Sequence, residues 1–249
     1  MSNNTGTFWD HLDALRWVII RSLIVTGVIA IGAFCMKDWL FAIVLAPRSS
    51  DFITFQLLGV SDFCVGLINT GITEQFMTHM RVAIYTGLLC ALPYILYELF
   101  RFIVPGLYDN ERRACTWIVV SGYMMFMLGT LINYFVIFPL TVRFLGTYQV
   151  SPDVSNMLTL QSYIDTLISM SLVMGVIFEL PVVCAILGKM KLIDSSLMSR
   201  YRRHAIVAIL IVAAIITPTT DVFTLLIVSL PIWLLYELSI FVVPKALNK

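Results

Sequence analysis

ACTWIVVSGYMMFMLGTLINYFVIF, from Ala114 to Phe138, runs 25 residues without a charge. As an α-helix it would be about 37 Å long, more than the roughly 30 Å of a bilayer's hydrocarbon. Charges bracket it on one side, at Glu111, Arg112 and Arg113, and Pro139 follows on the other. The stretch therefore reads as a transmembrane helix and sets the class of the whole chain. Composition agrees: 59% of the residues are apolar and 12% are charged, against about 25% charged in a soluble domain. A soluble chain of 249 residues could not hide so much apolar surface in one core, whereas a bilayer accepts it on the outside.

Working outward, four more apolar segments appear. The first span covers 17–36, the second 75–97, the third 114–138 and the fourth 166–187. The last apolar block is interrupted. Ala205 to Ile216 is only 12 residues, Thr217-Pro218-Thr219-Thr220-Asp221 breaks it, and 14 apolar or neutral residues follow from Val222 to Leu235. Two short spans, 205–216 and 222–238, or a re-entrant hairpin would each return the chain to its starting side. Resumption of the apolar run after Glu237 favours two spans. The segments between spans read as a polar-spiked stretch from Lys37 to Glu74, a short charged loop over 98–113, a second loop over 139–165 and a basic loop over 188–204. The first 16 residues carry no cleavable-signal pattern, so span 1 is expected to target the chain to the membrane.

Orientation follows from Lys and Arg. With the N-terminus inside, Arg16, Arg21, Arg101, Arg112, Arg113, Lys189, Lys191, Arg200, Arg202, Arg203, Lys245 and Lys249 lie on the inner side, and Lys37, Arg48, Arg81 and Arg143 on the outer. Twelve against four is a positive-inside bias. The expected fold is thus an all-α membrane protein with six spans, both ends cytoplasmic, forming one polytopic domain over 1–249. Net charge is +1, which gives no reason to expect nucleic acid. Five scattered cysteines show neither CxxC nor metal spacing. His11, His79 and His204 share no zinc-ligand spacing, and HExxH, GxSxG, Walker A and GxGxxG are absent. No cofactor and no enzymatic activity are expected.

Three features could carry function. In the loop Tyr97-Glu98-Leu99-Phe100-Arg101-Phe102-Ile103-Val104-Pro105-Gly106-Leu107-Tyr108-Asp109-Asn110-Glu111-Arg112-Arg113, aromatics and charges share a segment held at the surface. Arg112 and Arg113 serve as topogenic anchors in one reading. In the other, carboxylates accept charge-assisted hydrogen bonds from a basic peptide. Glu179 lies mid-span beside Pro181, and an intramembrane carboxylate is by default a functional hypothesis. The alternative is a Glu hydrogen-bonded to a neighbouring helix. Asp221 sits at the turn before the last span, where it would either cap that helix or serve function directly. A proton-coupled solute transporter using Glu179 would need inverted repeats, and none is visible. An intramembrane hydrolase would need a paired nucleophile and base.

The order of short motifs is similar to the TatC family, the multispan subunit of the twin-arginine protein translocase. They are His11-Leu12-x-x-Leu15-Arg16, Ala46-Pro47, Phe102-Ile103-x-Pro105-Gly106-Leu107-Tyr108-x-x-Glu111-Arg112-Arg113, Tyr134-Phe135-x-x-Phe138-Pro139, Phe178-Glu179-Leu180-Pro181-Val182 and Thr217-Pro218-Thr219-x-Asp221-Val222-Phe223. The resemblance covers nearly the whole chain. It implies six helices with short helices 5 and 6, a concave face and a bacterial cytoplasmic (inner) membrane location with both termini cytoplasmic. It implies binding of twin-arginine signal peptides of folded cargo, with Glu111 meeting the arginines. Leu12, Asp13, Arg16, Phe102, Arg112 and Arg113 are implied around it. Partners would be TatA- and TatB-type single-span subunits and further copies of the chain, with transport driven by the proton-motive force. Glu179, Thr217 and Asp221 are implied in partner contact. The chain departs from the family pattern at Ala14, where a glutamate is usual. Asp13 precedes it, but one residue turns a helix face by about 100°. Asp13 and Asp10 are the alternative carriers of that charge. Leu225 stands where a polar Gln is frequent.

Overall fold

The computed structural model describes residues 8–59, 63–103, 112–149, 151, 157–189, 192–217 and 221–243. Almost all of this is helix. Five helical stretches are long and apolar enough to cross a membrane: Leu12–Cys35, Glu74–Leu99, Val119–Thr147, Leu160–Gly188 and Val222–Val242. The chain divides into two compact units, Met1–Phe41 with Phe76–Tyr123, and Ala42–Gln75 with Met124–Lys249.

The first unit is built on α1 (Phe8–Cys35) and α4 (Glu74–Ile103). Both exceed the expected spans. α1 starts in the polar N-terminal segment, and α4 runs six residues past position 97. Glu98 and Arg101 are therefore helical rather than part of a loop. Without a hydrophobic drive between helices in lipid, close backbone approach depends on small residues. Gly87 supplies it: a Cβ there would lie 2.8 Å from both the Ala30 Cβ and the Thr26 carbonyl oxygen. Pro93 removes the hydrogen bond to the Leu89 carbonyl but does not stop α4. Near the other end of α4, the His79 ring stacks on Phe34 with centroids 4.0 Å apart, and Phe41 meets it edge-on at 5.7 Å.

The second unit shows how prolines were accommodated. α5 (Arg112–Ile132) passes through a wide π turn, Asn133–Ile137, straight into α6 (Phe138–Thr147). The sequence reading ended this span at Phe138 and began a loop at Pro139; the helix instead continues nine residues further. Pro139 sits in the first turn of α6, so it orphans one carbonyl, that of Phe135. The Thr54 hydroxyl donates to that oxygen. The same logic recurs at Pro47, which cannot donate to the Ile43 carbonyl. The Tyr134 hydroxyl does so at 2.6 Å, and the Tyr163 hydroxyl donates to the Val44 carbonyl at 3.1 Å. The polar-spiked stretch after span 1 is accordingly structured, as α2 (Lys37–Leu45), a 3-10 turn (Ala46–Arg48) and α3 (Ile53–Leu57).

A two-residue parallel ladder joins this stretch to the segment after α6, with β1 (Leu67–Ile68) and β2 (Leu158–Thr159) paired Leu67 to Leu158 and Ile68 to Thr159. Glu74 locks the junction. It accepts from the backbone N–H groups of Thr70 at 2.8 Å, Gly71 at 2.9 Å and Gln161 at 2.9 Å, and from the Thr70 hydroxyl at 3.1 Å. α7 (Leu160–Phe178) then starts six residues before the expected Thr166, because Thr159 caps it by accepting from the Ser162 N–H at 3.1 Å. α8 (Leu180–Lys189) continues the span.

α9 (Ser195–Arg200), α10 (Arg202–Ile216) and α11 (Val222–Val242) complete the unit. Asp194 caps α9. Hydrogen bonds from the Leu197 N–H and then from Ser196 hold its carboxyl below the usual aspartate range. α10 starts three residues before the expected Ala205 and has 15 residues, about 22 Å. α11 is not short: at 21 residues it runs four past the expected end at position 238. Tyr236 and Glu237 do not interrupt it because both are satisfied. The Tyr236 hydroxyl donates to the Met198 carbonyl at 2.8 Å, and Arg202 donates to Glu237 at 2.8 Å. α11 is long enough to cross a membrane by itself. The core of the unit gathers Ile137, Met170, Met174, Phe178, Ala213 and Ile232, all nearly inaccessible.

Candidate functional site

The loop that drew most attention lies largely outside the described residues, Glu111 included. Arg112 and Arg113 open α5, and their side chains also lie outside the description. Phe102 is half-buried on the last turn of α4. Leu12, Asp13 and Arg16 are exposed on the first turns of α1, with Leu12 and Arg16 four residues apart and so on one face.

A carboxylate that the sequence reading counted among loop charges belongs here. Glu98 is 4% exposed. It accepts from the Tyr94 hydroxyl at 3.1 Å, and Arg21 of α1 approaches the same oxygen to 3.8 Å. Tyr94, Glu98 and Phe102 recur every four residues, which places them on one face of α4. That spacing is legible in the sequence, but the charges from Glu98 onward read as a loop there.

Glu179 occupies the seam between α7 and α8. Pro181 cannot donate to the Ile177 carbonyl, so the helix tightens into a turn: the Glu179 N–H donates to the Val176 carbonyl at 3.1 Å. The side chain is half-buried, and its Oε1 is buried without a hydrogen-bond partner among the described residues. About two turns before Glu179, Ser171 of α7 accepts from Asn133 of the π turn at 2.8 Å, and both are buried. π turns often mark functional positions, and the sequence reading had no means to place one.

The hairpin residues divide. Thr217 is 3% exposed and its hydroxyl donates back to the Ala213 carbonyl at 3.0 Å, so its polar group is spent inside its own helix. Asp221 caps α11, accepting from the Thr224 N–H at 2.7 Å. Thr219 and Thr220 lie outside the described residues. Leu225, at the place where a Gln is frequent, packs against the core. Among the described residues no group of three or more His, Cys, Asp or Glu side chains could hold a metal ion.

Five helical stretches of membrane length and apolar composition, one with a carboxylate at its seam in mid-span, define a polytopic membrane protein. The sequence pattern of the family described as Sec-independent protein translocase protein (TatC) matches residues 10–231. The chain is 33% identical over 243 residues to the Sec-independent protein translocase protein TatC of Carboxydothermus hydrogenoformans, covering 97% of this chain and 94% of the relative. It is likewise 33% identical to the protein of that name from Desulforapulum autotrophicum, over 94% of this chain and 82% of the relative. A crystal structure described as the twin arginine translocase receptor TatC in DDM superposes with a TM-score of 0.77 at 31% identity, covering 94% of this chain and 99% of that one. The chain belongs to the TatC family. It is a membrane component of the twin-arginine, Sec-independent protein translocase, and works within a complex of proteins.

Proposed function

We propose that this chain is the receptor and core scaffold of the translocase. It docks the paired arginines of signal peptides at Glu111 and organises TatA- and TatB-type single-span subunits that export folded proteins on the proton-motive force. The observation that carries this reading is the match over 94% of the chain to a structure described as a twin arginine translocase receptor. In this reading the whole chain is one polytopic domain with a concave face. Its six helices sit in the bacterial inner membrane with both termini cytoplasmic, and copies of the chain associate within the complex. The chain performs no covalent chemistry and holds no cofactor. Phe102, Leu12, Asp13, Arg16, Arg112 and Arg113 frame the peptide, and Glu179 and Asp221 face partner helices. Thr217, buried and bonded to Ala213, contributes there by packing.

Site-specific crosslinking from position 111 tests the docking role. A signal peptide with adjacent arginines is expected to crosslink strongly, and its Lys-Lys counterpart weakly, because Lys lacks the planar fork that grips a carboxylate with two parallel bonds. Equal crosslinking of the two would remove the assignment.

For Glu179, the unpaired buried oxygen supports a role in meeting a donor from outside the chain. Glu179→Ala is expected to reduce co-purification of single-span partners by roughly tenfold, the scale of one hydrogen bond to a charged group. Glu179→Gln keeps a hydrogen-bonding oxygen and should retain most of it. Full co-purification and export with the Ala variant would leave Glu179 no partner role.

A further inference from the structure

Buried carboxylates are ordinarily saturated with donors, because an ionised group taken out of water needs its lone pairs satisfied. Glu74 obeys this rule with four donated hydrogen bonds. Glu98, equally inaccessible, does not. Its Oε1 accepts one hydrogen bond, from Tyr94, and faces the Arg21 guanidinium at 3.8 Å. That separation is an ion pair but exceeds the 2.7–2.9 Å of a charge-assisted hydrogen bond. Both contacts fall on Oε1, and Oε2 is not a buried oxygen left without a partner, so it stays open to a further donor. A carboxylate offers about four lone-pair sites and suits a bidentate guanidinium. Arg21 has not taken up that geometry: its side chain is half-exposed on α1 and reaches one oxygen only.

The surroundings narrow the ligand. Glu98 is one turn from Phe102 on the same face of α4 and lies at the end of the apolar stretch that closes at Leu99. On α1, Ala14 lies two turns before Arg21 on the same face, about 10 Å away, and the nearest carboxylate on that line of the helix is Asp10, one turn further back. A peptide with two adjacent arginines presents two planar forks and calls for two carboxylates, and Glu111 can serve only one of them.

We infer that Glu98 is a second guanidinium-binding group of the docking site and that Arg21 is its internal placeholder, displaced when a twin-arginine peptide binds. The inference rests on the receptor reading above. A placeholder makes a demand that a structural strut does not. Removing Glu98 weakens the peptide, whereas removing Arg21 strengthens it, and the gain exists only while Glu98 is present.

The experiment uses the full chain in detergent and a fluorescent synthetic signal peptide with Arg-Arg or Lys-Lys, read as dissociation constants by anisotropy. Glu98→Gln, close in shape, is expected to weaken the Arg-Arg peptide by roughly tenfold. Arg21→Gln is expected to tighten it by roughly fivefold, the scale of a partly exposed ion pair no longer competing. In Arg21→Gln/Glu98→Gln the tightening should vanish. If both single variants weaken binding alike, Arg21 and Glu98 are a strut between α1 and α4 and the inference fails. If Arg21→Gln tightens binding equally without Glu98, Arg21 merely repels cations and the inference fails too. If the unmodified chain does not distinguish Arg-Arg from Lys-Lys, the receptor reading itself falls and takes this inference with it. Normal discrimination that no Glu98 variant alters overturns the inference alone.

Discussion

Export of a twin-arginine reporter is expected to stop when Glu111 is replaced by alanine, while the chain stays in the membrane at its normal level. In the sequence the residue lies between Pro105-Gly106 and Arg112, outside the membrane-length stretches Glu74–Leu99 and Val119–Thr147. Its loss should therefore cost little in folding and much in recognition. Truncating one partner of a hydrogen-bonded charge pair at an interface costs about 2–5 kcal/mol, much of it from leaving the other charge unpaired. At about 1.4 kcal/mol per factor of ten, binding falls by at least roughly thirtyfold. Glu111→Gln should fall between alanine and the parent, since the amide oxygen still accepts but without charge. Immunoblots of the membrane fraction separate lost recognition from lost protein. Undiminished export by Glu111→Ala would end the docking role, whatever Glu98 does.

The second large effect concerns stability rather than binding. Gly129→Ala is expected to destabilise the chain by about 1–3 kcal/mol, the range for overpacking a close-packed interior. A Cβ at Gly129 would lie 2.6 Å from the Met174 carbonyl oxygen and 2.9 Å from Cβ and Cγ of Phe178. A carbonyl within a helix cannot withdraw without moving the helix, so α5 and α7 must separate. That separation would strain the Asn133–Ser171 hydrogen bond that ties the same helices. Gly175→Ala is the control. Its Cβ would meet the far edge of the Phe126 ring at 2.6 Å, and a ring edge yields more readily than backbone. It is expected to cost clearly less, and both variants gain helix propensity of nearly 1 kcal/mol over glycine. Thermal unfolding of the purified chain in one detergent gives the order. A Gly129→Ala variant as stable as the parent would mean the two helices are not held at this distance.

Several elements were readable before any coordinates. The uncharged run from 114 to 138 identified a span because lipid tolerates only satisfied backbone and apolar side chains. Asp221 before an apolar run is a capping pattern, and it caps α11. The span ends were less readable. Pro139 and Pro47 look like breaks when local propensity is all that is available. Each orphans one carbonyl, and whether a helix survives depends on a donor elsewhere in the chain. Here those donors are Thr54 and Tyr134, 81 and 91 residues away. Tyr236 and Glu237 looked like the end of a short helix for the same reason, and Met198 and Arg202 allow it to continue.

The candidate sites divide along the same line. Glu179 stands out in the sequence as a carboxylate within an apolar run, and Glu111 through the family motif it resembles. Glu98 does not stand out. It follows an apolar stretch as an ordinary flanking charge would, and only the approach of α1 reveals an almost inaccessible carboxylate with one hydrogen bond and a loosely held arginine. Glu74 likewise gains its meaning from Gln161, 87 residues on. The sequence by itself determined the class of protein, the solvent and the main helices, because these depend on the sum of transfer free energies along contiguous residues. The tertiary structure alone decided where helices end and which carboxylates have acceptor capacity to spare. Both depend on hydrogen-bond donors brought from distant parts of the chain, and no local pattern encodes them.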